Sequence, residues 1–247
     1  FGGVAAVNNC SFRIQEHSIT GLIGPNGAGK TTTFNMIAGA MKPDSGRIIF
    51  NNVDITAKPA HKLFHLGVMR TFQIAQEFSA MTVLENLMAV PGDQPGENLA
   101  LALLATRTVW RREKEIQQRA LEVLDFLRLS DLLHELAGNL SGGQKKLLEL
   151  GRAMMAEPKI ILLDEPGAGV NPTLLGDLAD MIERLNRERG YTFCIIEHNM
   201  DMIARLCNPV IVMAEGSVLT EGTMSTVRAD PRVLDAYLGG DAVPDEN

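Results

Sequence analysis

Ser18-Ile19-Thr20-Gly21-Leu22-Ile23-Gly24-Pro25-Asn26-Gly27-Ala28-Gly29-Lys30-Thr31-Thr32 decides the architecture of this chain. Ser18 to Gly24, with Ile19, Leu22 and Ile23, reads as a short apolar strand, Gly24 to Gly29 as a turn-rich loop, and Lys30 to Ala40 as a helix. Strand, glycine loop and helix in that order form the context that G-x-x-x-x-G-K-[ST] needs to hold phosphate. The glycines let consecutive backbone N–H groups face phosphate oxygens, and the positive end of the helix dipole strengthens the attraction. Asn26, Gly27, Ala28, Gly29, Lys30, Thr31 and Thr32 are therefore candidate nucleotide-binding residues. Lys30 offers a point charge to β and γ phosphates, and Thr31 offers a hydroxyl to Mg²⁺, a hard cation that takes oxygen ligands and keeps several waters.

Outward from this loop, Asp44-Ser45-Gly46 is a turn, Arg47 to Phe50 a strand and Asn51-Asn52 a second turn, together a small hairpin. From Met81 to Ala156 the pattern turns helical, and Glu113 to Leu129 places Ile116, Ala120, Leu121, Val123, Leu124 and Leu127 along one face. Strands then alternate with helices: Ile160 to Asp164, Thr173 to Glu188, Tyr191 to Ile196, Met200 to Leu206, Val210 to Ala214. Such alternation implies a largely parallel sheet covered on both faces, with a helical lobe inserted between two parts of it. Pro209, Glu215-Gly216-Ser217 and Glu221-Gly222 punctuate the end, which finishes in a short helix from Pro231 to Leu238 and an acidic, frayed tail from Asp241 to Asn247.

Two further stretches carry chemistry. In Ile160-Ile161-Leu162-Leu163-Asp164-Glu165-Pro166, four apolar residues end in paired acids. Asp164, at the polar end of the strand, can hold a metal through water, and Glu165 points elsewhere because side chains alternate along a strand. In Leu140-Ser141-Gly142-Gly143-Gln144, Ser141 is a good N-cap for a helix through Lys145 to Met155, and Gly142-Gly143 leaves its first amides open to an anion. His61 and His65 are spaced i, i+4, but no third ligand is evident, so they read as surface or packing residues. Met154-Met155 and Met200 to Met202 read as core or interface filler.

Composition excludes several classes. The 247 residues, 45% apolar, suit one compact domain or a core with a lobe. No apolar run approaches the roughly 18 to 20 residues that cross a bilayer, Leu99 to Ala105 included, so a membrane role would be peripheral. A net charge of −7 disfavours a broad basic face and with it nonspecific nucleic-acid binding. Three cysteines without C-x-x-C spacing argue against a disulfide framework or zinc and fit a reducing cytosol. Phe1 stands where a short natural N-terminus would have Met, and no signal-type stretch follows it.

The phosphate loop, Leu140 to Gln144 and Ile160 to Pro166, in that order, resemble the signature of ATP-binding cassette ATPases. Arg70-Thr71-Phe72-Gln73, Met81-Thr82-Val83-Leu84-Glu85-Asn86-Leu87, Gly142 through Arg152, Ala168-Gly169-Val170-Asn171-Pro172 and Ala236-Tyr237-Leu238-Gly239 are similar to the ATP-binding subunits of branched-chain amino-acid importers, the LivG type. Urea and short-amide importers use closely similar subunits. The resemblance implies an α/β P-loop NTPase (RecA-like) core with a mostly parallel sheet, an antiparallel β subdomain and an inserted α-helical subdomain. It places the ATP-binding core at 1–77 and 157–247 and the helical, signature-bearing subdomain at 78–156, and it expects a strand before Phe1.

The resemblance also assigns roles. Glu165 polarises the attacking water as general base, and His198 contacts the γ phosphate. Gln73 contacts Mg²⁺ and water and signals to the membrane partner, so that Thr31, Gln73 and Asp164 attend the metal. Phe1 stacks on adenine. Ser141, Gly142, Gly143 and Gln144 face the γ phosphate bound to an opposite subunit, so that ATP and Mg²⁺ lie in a head-to-tail dimer with a second cassette, itself or a homologue. Integral-membrane permease subunits would dock near Gln73 to Met81, where Ile74, Phe78 and Met81 form a groove; a substrate-binding protein takes part indirectly and no nucleic acid does. The implied location is the cytoplasmic face of the inner membrane. Most members carry Asp where this chain has Asn171, which leaves a weakly catalytic regulatory subunit as one alternative. Soluble cassettes acting on DNA or ribosomes are another, although the long coiled coil, second cassette and zinc cysteines of those classes are absent.

Overall fold

A computed structural model describes residues 3, 5–71, 77–92 and 107–238. The expectations for Phe1, Gln73, Ile74, the 99–105 stretch and the tail therefore lie outside the described residues, as does part of the Arg70 to Gln73 phrase. The chain forms two compact units, one of residues 1–73, 159–168 and 182–247, the other of 74–158 and 169–181.

In chain order the elements are β1 (Ile19–Ile23), α1 (Lys30–Ile37), β2 (Ile49–Phe50), β3 (Val53–Asp54), α2 (Ala60–Leu66), β4 (Val68–Arg70), α3 (Val83–Met88), α4 (Arg107–Phe126), α5 (Gly142–Met155), β5 (Ile160–Asp164), α6 (Pro172–Arg189), β6 (Thr192–Ile196), α7 (Met200–Leu206), β7 (Val210–Ala214), β8 (Ser217–Gly222), α8 (Met224–Ala229) and α9 (Pro231–Leu238).

The first unit is built on a six-stranded sheet in the order β4-β5-β6-β1-β7-β8. All neighbours are parallel except β7 and β8. Every residue of β1, β5 and β6 is buried, the mark of a sheet covered on both faces, which is why these strands read as unbroken apolar runs. Leu22, Phe34, Leu63, Leu162, Ile196, Ile211 and Met213 share one cluster, so α1 and α2 close over the sheet. A separate two-stranded hairpin pairs Phe50 with Val53 around Asn51 and Asn52, both at positive φ, the backbone of a type I′ turn.

The register matters for the site. Leu22 of β1 stands opposite Ile196 of β6, and Ile196 stands opposite Asp164 of β5. Three parallel strands thus end within a residue of the same row, and the segments that follow them leave the sheet at one edge.

The second unit packs α3, α4 and α5. Val83, Leu87, Ile116, Ala120, Leu124, Leu127 and Leu148 are buried there. Gly151 marks a close approach of these helices, since a Cβ on it would meet Leu127 at 2.7 Å, Leu87 at 3.1 Å and Val123 at 3.3 Å. Capping boxes start two of the helices, Thr82 with Glu85 for α3 and Ser141 with Gln144 for α5. At the far end of α5, Arg119 donates to the Met154 carbonyl at 2.9 Å and pairs with Glu157, which satisfies a terminal carbonyl of the helix.

Several sequence expectations need correction. Leu121 is 37% exposed and stands outside the face expected of α4, whose other residues, Ile116, Ala120, Val123, Leu124 and Leu127, are buried as read. The strand expected from Arg47 shortens to Ile49–Phe50. The helix expected from Lys30 to Ala40 ends at Ile37. Ser217 and Glu221-Gly222, read as punctuation, belong to β8, a half-buried edge strand with a register shift opposite Val212/Met213 that hides its alternation. α2, β4 and α8 were not anticipated; each is short and leans on tertiary packing. His61 and His65 lie exposed on α2, and Met154, Met155 and Met202 are buried, as their sequence reading holds. Among the described residues no helix is long and apolar enough to cross a membrane.

Asn86, wholly buried on α3, pins the segment before it. Its Oδ1 accepts the Phe78 N–H at 2.9 Å, and its amide donates to the carbonyls of Phe78 at 3.0 Å and Thr82 at 2.9 Å. Asn86→Ala strands these backbone groups in a dry place, so urea unfolding should show a loss of about 2–3 kcal/mol. A change below about 0.5 kcal/mol would mean that water replaces the amide without cost.

Candidate active site

The loop from Gly24 to Gly29 joins β1 to α1. Gly24 runs at φ 148°, and a Cβ there would lie 2.0 Å from the Met213 carbonyl, so only glycine lets the loop leave the sheet this close to β7. Gly29, in the left-handed region, caps α1 without any side-chain hydrogen bond, and the first turn of the helix carries no acid. The first amides of α1 thus keep their affinity for an anion.

Lys30 is 6% exposed, and its ammonium donates to the carbonyls of Gly24 at 2.7 Å and Pro25 at 2.9 Å. The loop is wrapped around the amine. Two of the three ammonium N–H groups serve the loop, and the third suits a phosphate oxygen. Burial pushes the Lys30 pKa below the ordinary lysine value, and the negative charges of Glu165 and Asp164 pull it back up. Thr31 is exposed at the mouth of the loop, Thr32 is half-buried, and Asn26 and Gly27 are exposed.

Asp164 closes β5 and is 5% exposed. Arg70, at the end of β4, donates to its carboxylate at 2.7 Å and to Oδ1 of Asn35 on α1. The guanidinium therefore ties together β4, β5 and α1, and its buried Nε has no hydrogen-bond partner among the described residues. Glu165 leaves the strand differently from the sequence expectation. Its orientation comes from a left-handed backbone, φ 50°, rather than from strand alternation, because β5 stops at Asp164. The Glu165 N–H donates to the Ile196 carbonyl at 2.8 Å, and the turn closes through Ala168 N–H to the Glu165 carbonyl at 3.0 Å.

His198 follows β6, and its Nε2 stands 3.1 Å from Oε1 of Glu165. The structure thus gathers Lys30, Asp164, Glu165 and His198 at one edge of the first unit. Sequence reading gave no role to Glu197, Arg70 or Asn35. Glu197, 5% exposed, accepts N–H groups from Gly167 at 2.6 Å, His198 at 2.9 Å and Asn199 at 3.2 Å. Its charge reaches inward as well: burial first, and Glu197 second, push the Cys207 thiol up to about 12. A carboxylate directly after an apolar strand and before a candidate histidine was the available signal.

In the second unit, Ser141 caps α5 as expected. Its Oγ accepts the Gln144 N–H at 3.4 Å and the Gln144 side chain accepts the Ser141 N–H at 2.9 Å, with Ser141 and Gly142 exposed and Gly143 buried. Asn171 caps α6, accepting the Leu174 N–H at 2.9 Å. Phe78 is 49% exposed, with the Arg152 guanidinium 4.8 Å above its ring. Phe1 and Gln73 remain outside the described residues.

Residues 7–168 match the family model described as ABC transporter, and residues 217–243 match that of the branched-chain amino acid ATP-binding cassette transporter. The chain is 42% identical to the "Probable branched-chain amino acid transport ATP-binding protein LivG" of Archaeoglobus fulgidus, over 97% of this chain and 91% of that protein. It is 38% identical to the high-affinity branched-chain amino acid transport ATP-binding protein BraF of Pseudomonas aeruginosa, over 97% of this chain and 94% of the relative. Among solved structures, the ADP conformation of an ATP-binding cassette of an ABC transporter superposes with a TM-score of 0.82 at 40% identity, covering 97% of this chain and 94% of that one. A nucleotide-free cassette superposes with a TM-score of 0.80 at 39% identity, covering 96% and 94%. With the phosphate loop, the acidic strand end and the histidine assembled on this fold, the chain belongs to the ABC transporter family, as one of its ATP-binding cassettes.

Proposed function

We propose that this cassette hydrolyses ATP to drive an importer of branched-chain amino acids, working at the cytoplasmic face of the membrane against integral permease subunits. The observation that carries the ATPase reading is the convergence of Lys30, Asp164, Glu165 and His198 where β1, β5 and β6 end. The cargo reading rests on the match of residues 217–243 and on the names of the relatives, since a cassette does not touch what its permease carries.

The residues present suit Mg²⁺. Among the described residues no cluster of three or more histidines, cysteines and carboxylates could hold a metal by itself. Thr31 and Asp164 supply hard oxygen donors but too few for a protein cage, the usual condition of Mg²⁺ that arrives with phosphate. Thr31, Asp164 and Gln73 would hold it, and when bound it would neutralise charge between the β and γ phosphates.

In the proposed cycle the amides of Gly27 to Thr32 and the Lys30 ammonium bind the phosphates, and Phe1 stacks on adenine. Glu165 orients a water and takes its proton as the water oxygen bonds to the γ phosphorus and the bond to the β–γ bridging oxygen breaks, giving ADP and phosphate. His198, held by Glu165, reaches the γ phosphate. The Ser141-Gly142-Gly143-Gln144 loop of a second cassette completes each site, so two ATP molecules close a head-to-tail pair. The nucleotide core is assigned to 1–77 and 157–247 and the signature-bearing helical subdomain to 78–156.

Glu165→Gln should lower single-turnover hydrolysis by about 10²–10⁴-fold with ATP affinity little changed. Turnover within twofold of the native rate would remove Glu165 as the base. The same variant, trapped with ATP in native membranes, extracted and identified by mass spectrometry, should bring down a polytopic permease and a second cassette. Ribosomal or DNA-repair proteins in place of a permease would refute the transport reading. Phe78→Asp, on the proposed permease groove, should abolish stimulation of the ATPase by the permease and leave basal hydrolysis intact. Equal loss of both would place the contact elsewhere.

A further inference from the structure

Glu197 is a buried carboxylate whose two oxygens bond to the two catalytic loops. Oε1 accepts the N–H of Gly167, in the turn that begins at Glu165, and Oε2 accepts the N–H groups of His198 and Asn199. Burying a carboxylate is costly unless hydrogen bonds replace its water, and three backbone donors, two of them within 3.0 Å, do so here. The arrangement spans two strand ends, β5 and β6, that the sheet already holds side by side.

The turn needs such a clamp. Glu165 is a non-glycine residue at φ 50°, a left-handed conformation that is unfavourable for a residue with a Cβ and persists only where its surroundings over-determine it. Among the described residues the restraints include the Glu165 N–H to Ile196, the Ala168 N–H to Glu165 and the bond from Gly167 to Glu197. Only the last of these three comes from a side chain. The other oxygen of that side chain fixes the backbone of His198, whose ring meets Glu165 at 3.1 Å.

We infer that Glu197 is a positioning residue that sets the Glu165–His198 contact by clamping both backbones. This rests on the proposed role of Glu165 as base. In Glu197→Gln the amide oxygen can face His198 and Asn199, but the NH₂ group then meets the Gly167 N–H, donor against donor, and the turn is released. Glu197→Asp keeps the charge and shortens the arm by one methylene, so it also loses a bond.

The test uses the purified full chain and three readouts. Both variants should lose about 10²-fold in kcat while KM for ATP and the Kd for ADP stay within about threefold, the pattern of a misplaced base with an intact phosphate loop. The His198 ring signals in NMR, assigned with His198→Ala, should move in both to where Glu165→Gln puts them. Native kcat in the two variants, or unmoved His198 signals, would overturn the positioning role while Glu165→Gln still abolishes hydrolysis. If Glu165→Gln itself hydrolyses ATP at the native rate, the base assignment fails first and the inference falls with it.

Discussion

The site depends on the lateral order β5-β6-β1 in a parallel sheet. Parallel strands share a carboxyl edge, and the register that sets Leu22, Ile196 and Asp164 in one row makes the three following segments emerge together. Residues more than 130 positions apart in sequence, Lys30 and Glu165 among them, then come close enough for their charges to act on one another. The antiparallel β8 stands at the opposite edge from β4 and takes no part in this gathering. Each strand contributes a different kind of group: an amide-lined loop, a pair of acids, and an acid followed by an imidazole.

Around this edge, charge is held by short links rather than by surface pairs. Arg70 and Asp164 are both largely buried, and removing one partner would leave the other stranded, at a cost of about 3–5 kcal/mol. Lys30 is held by carbonyls of its own loop. Glu197 is held by amides. In each case backbone or a neighbouring strand does the holding, so the geometry of the charges follows the geometry of the sheet. The second unit uses a different device, reciprocal capping at Thr82 and at Ser141, which makes the start of α3 and of α5 a local matter of four residues.

Much of this was legible in the sequence because the decisive signals are local. A glycine loop between strand and helix, four apolar residues before two acids, and Ser-Gly-Gly before a helix each describe their own backbone, and β1, β5, β6, α7, β7 and α9 fall within a residue or so of their reading. β8 was hidden because its pairing with β7 slips at Val212/Met213, and α2, β4 and α8 because elements of three to seven residues carry too little periodicity to read. The orientation of Glu165 was misread for a related reason: the position at which β5 stops is set by pairing with β6, not by residue type. Arg70 and Asn35 act through partners distant in sequence, and nothing in their immediate neighbours announces it. Glu197 carries only the signal of an acid between an apolar strand and a histidine, and its hold on Gly167 appears only once β5 and β6 lie side by side.

The most direct measurement is the crystal structure of the Glu165→Gln variant with ATP and Mg²⁺. The account predicts the γ phosphate on the Lys30 ammonium and beside His198, the metal between Thr31 and Asp164, and the residue-165 side chain facing a water in line with the β–γ bond. Phosphates bound away from Lys30, or a metal held without Asp164, would contradict it.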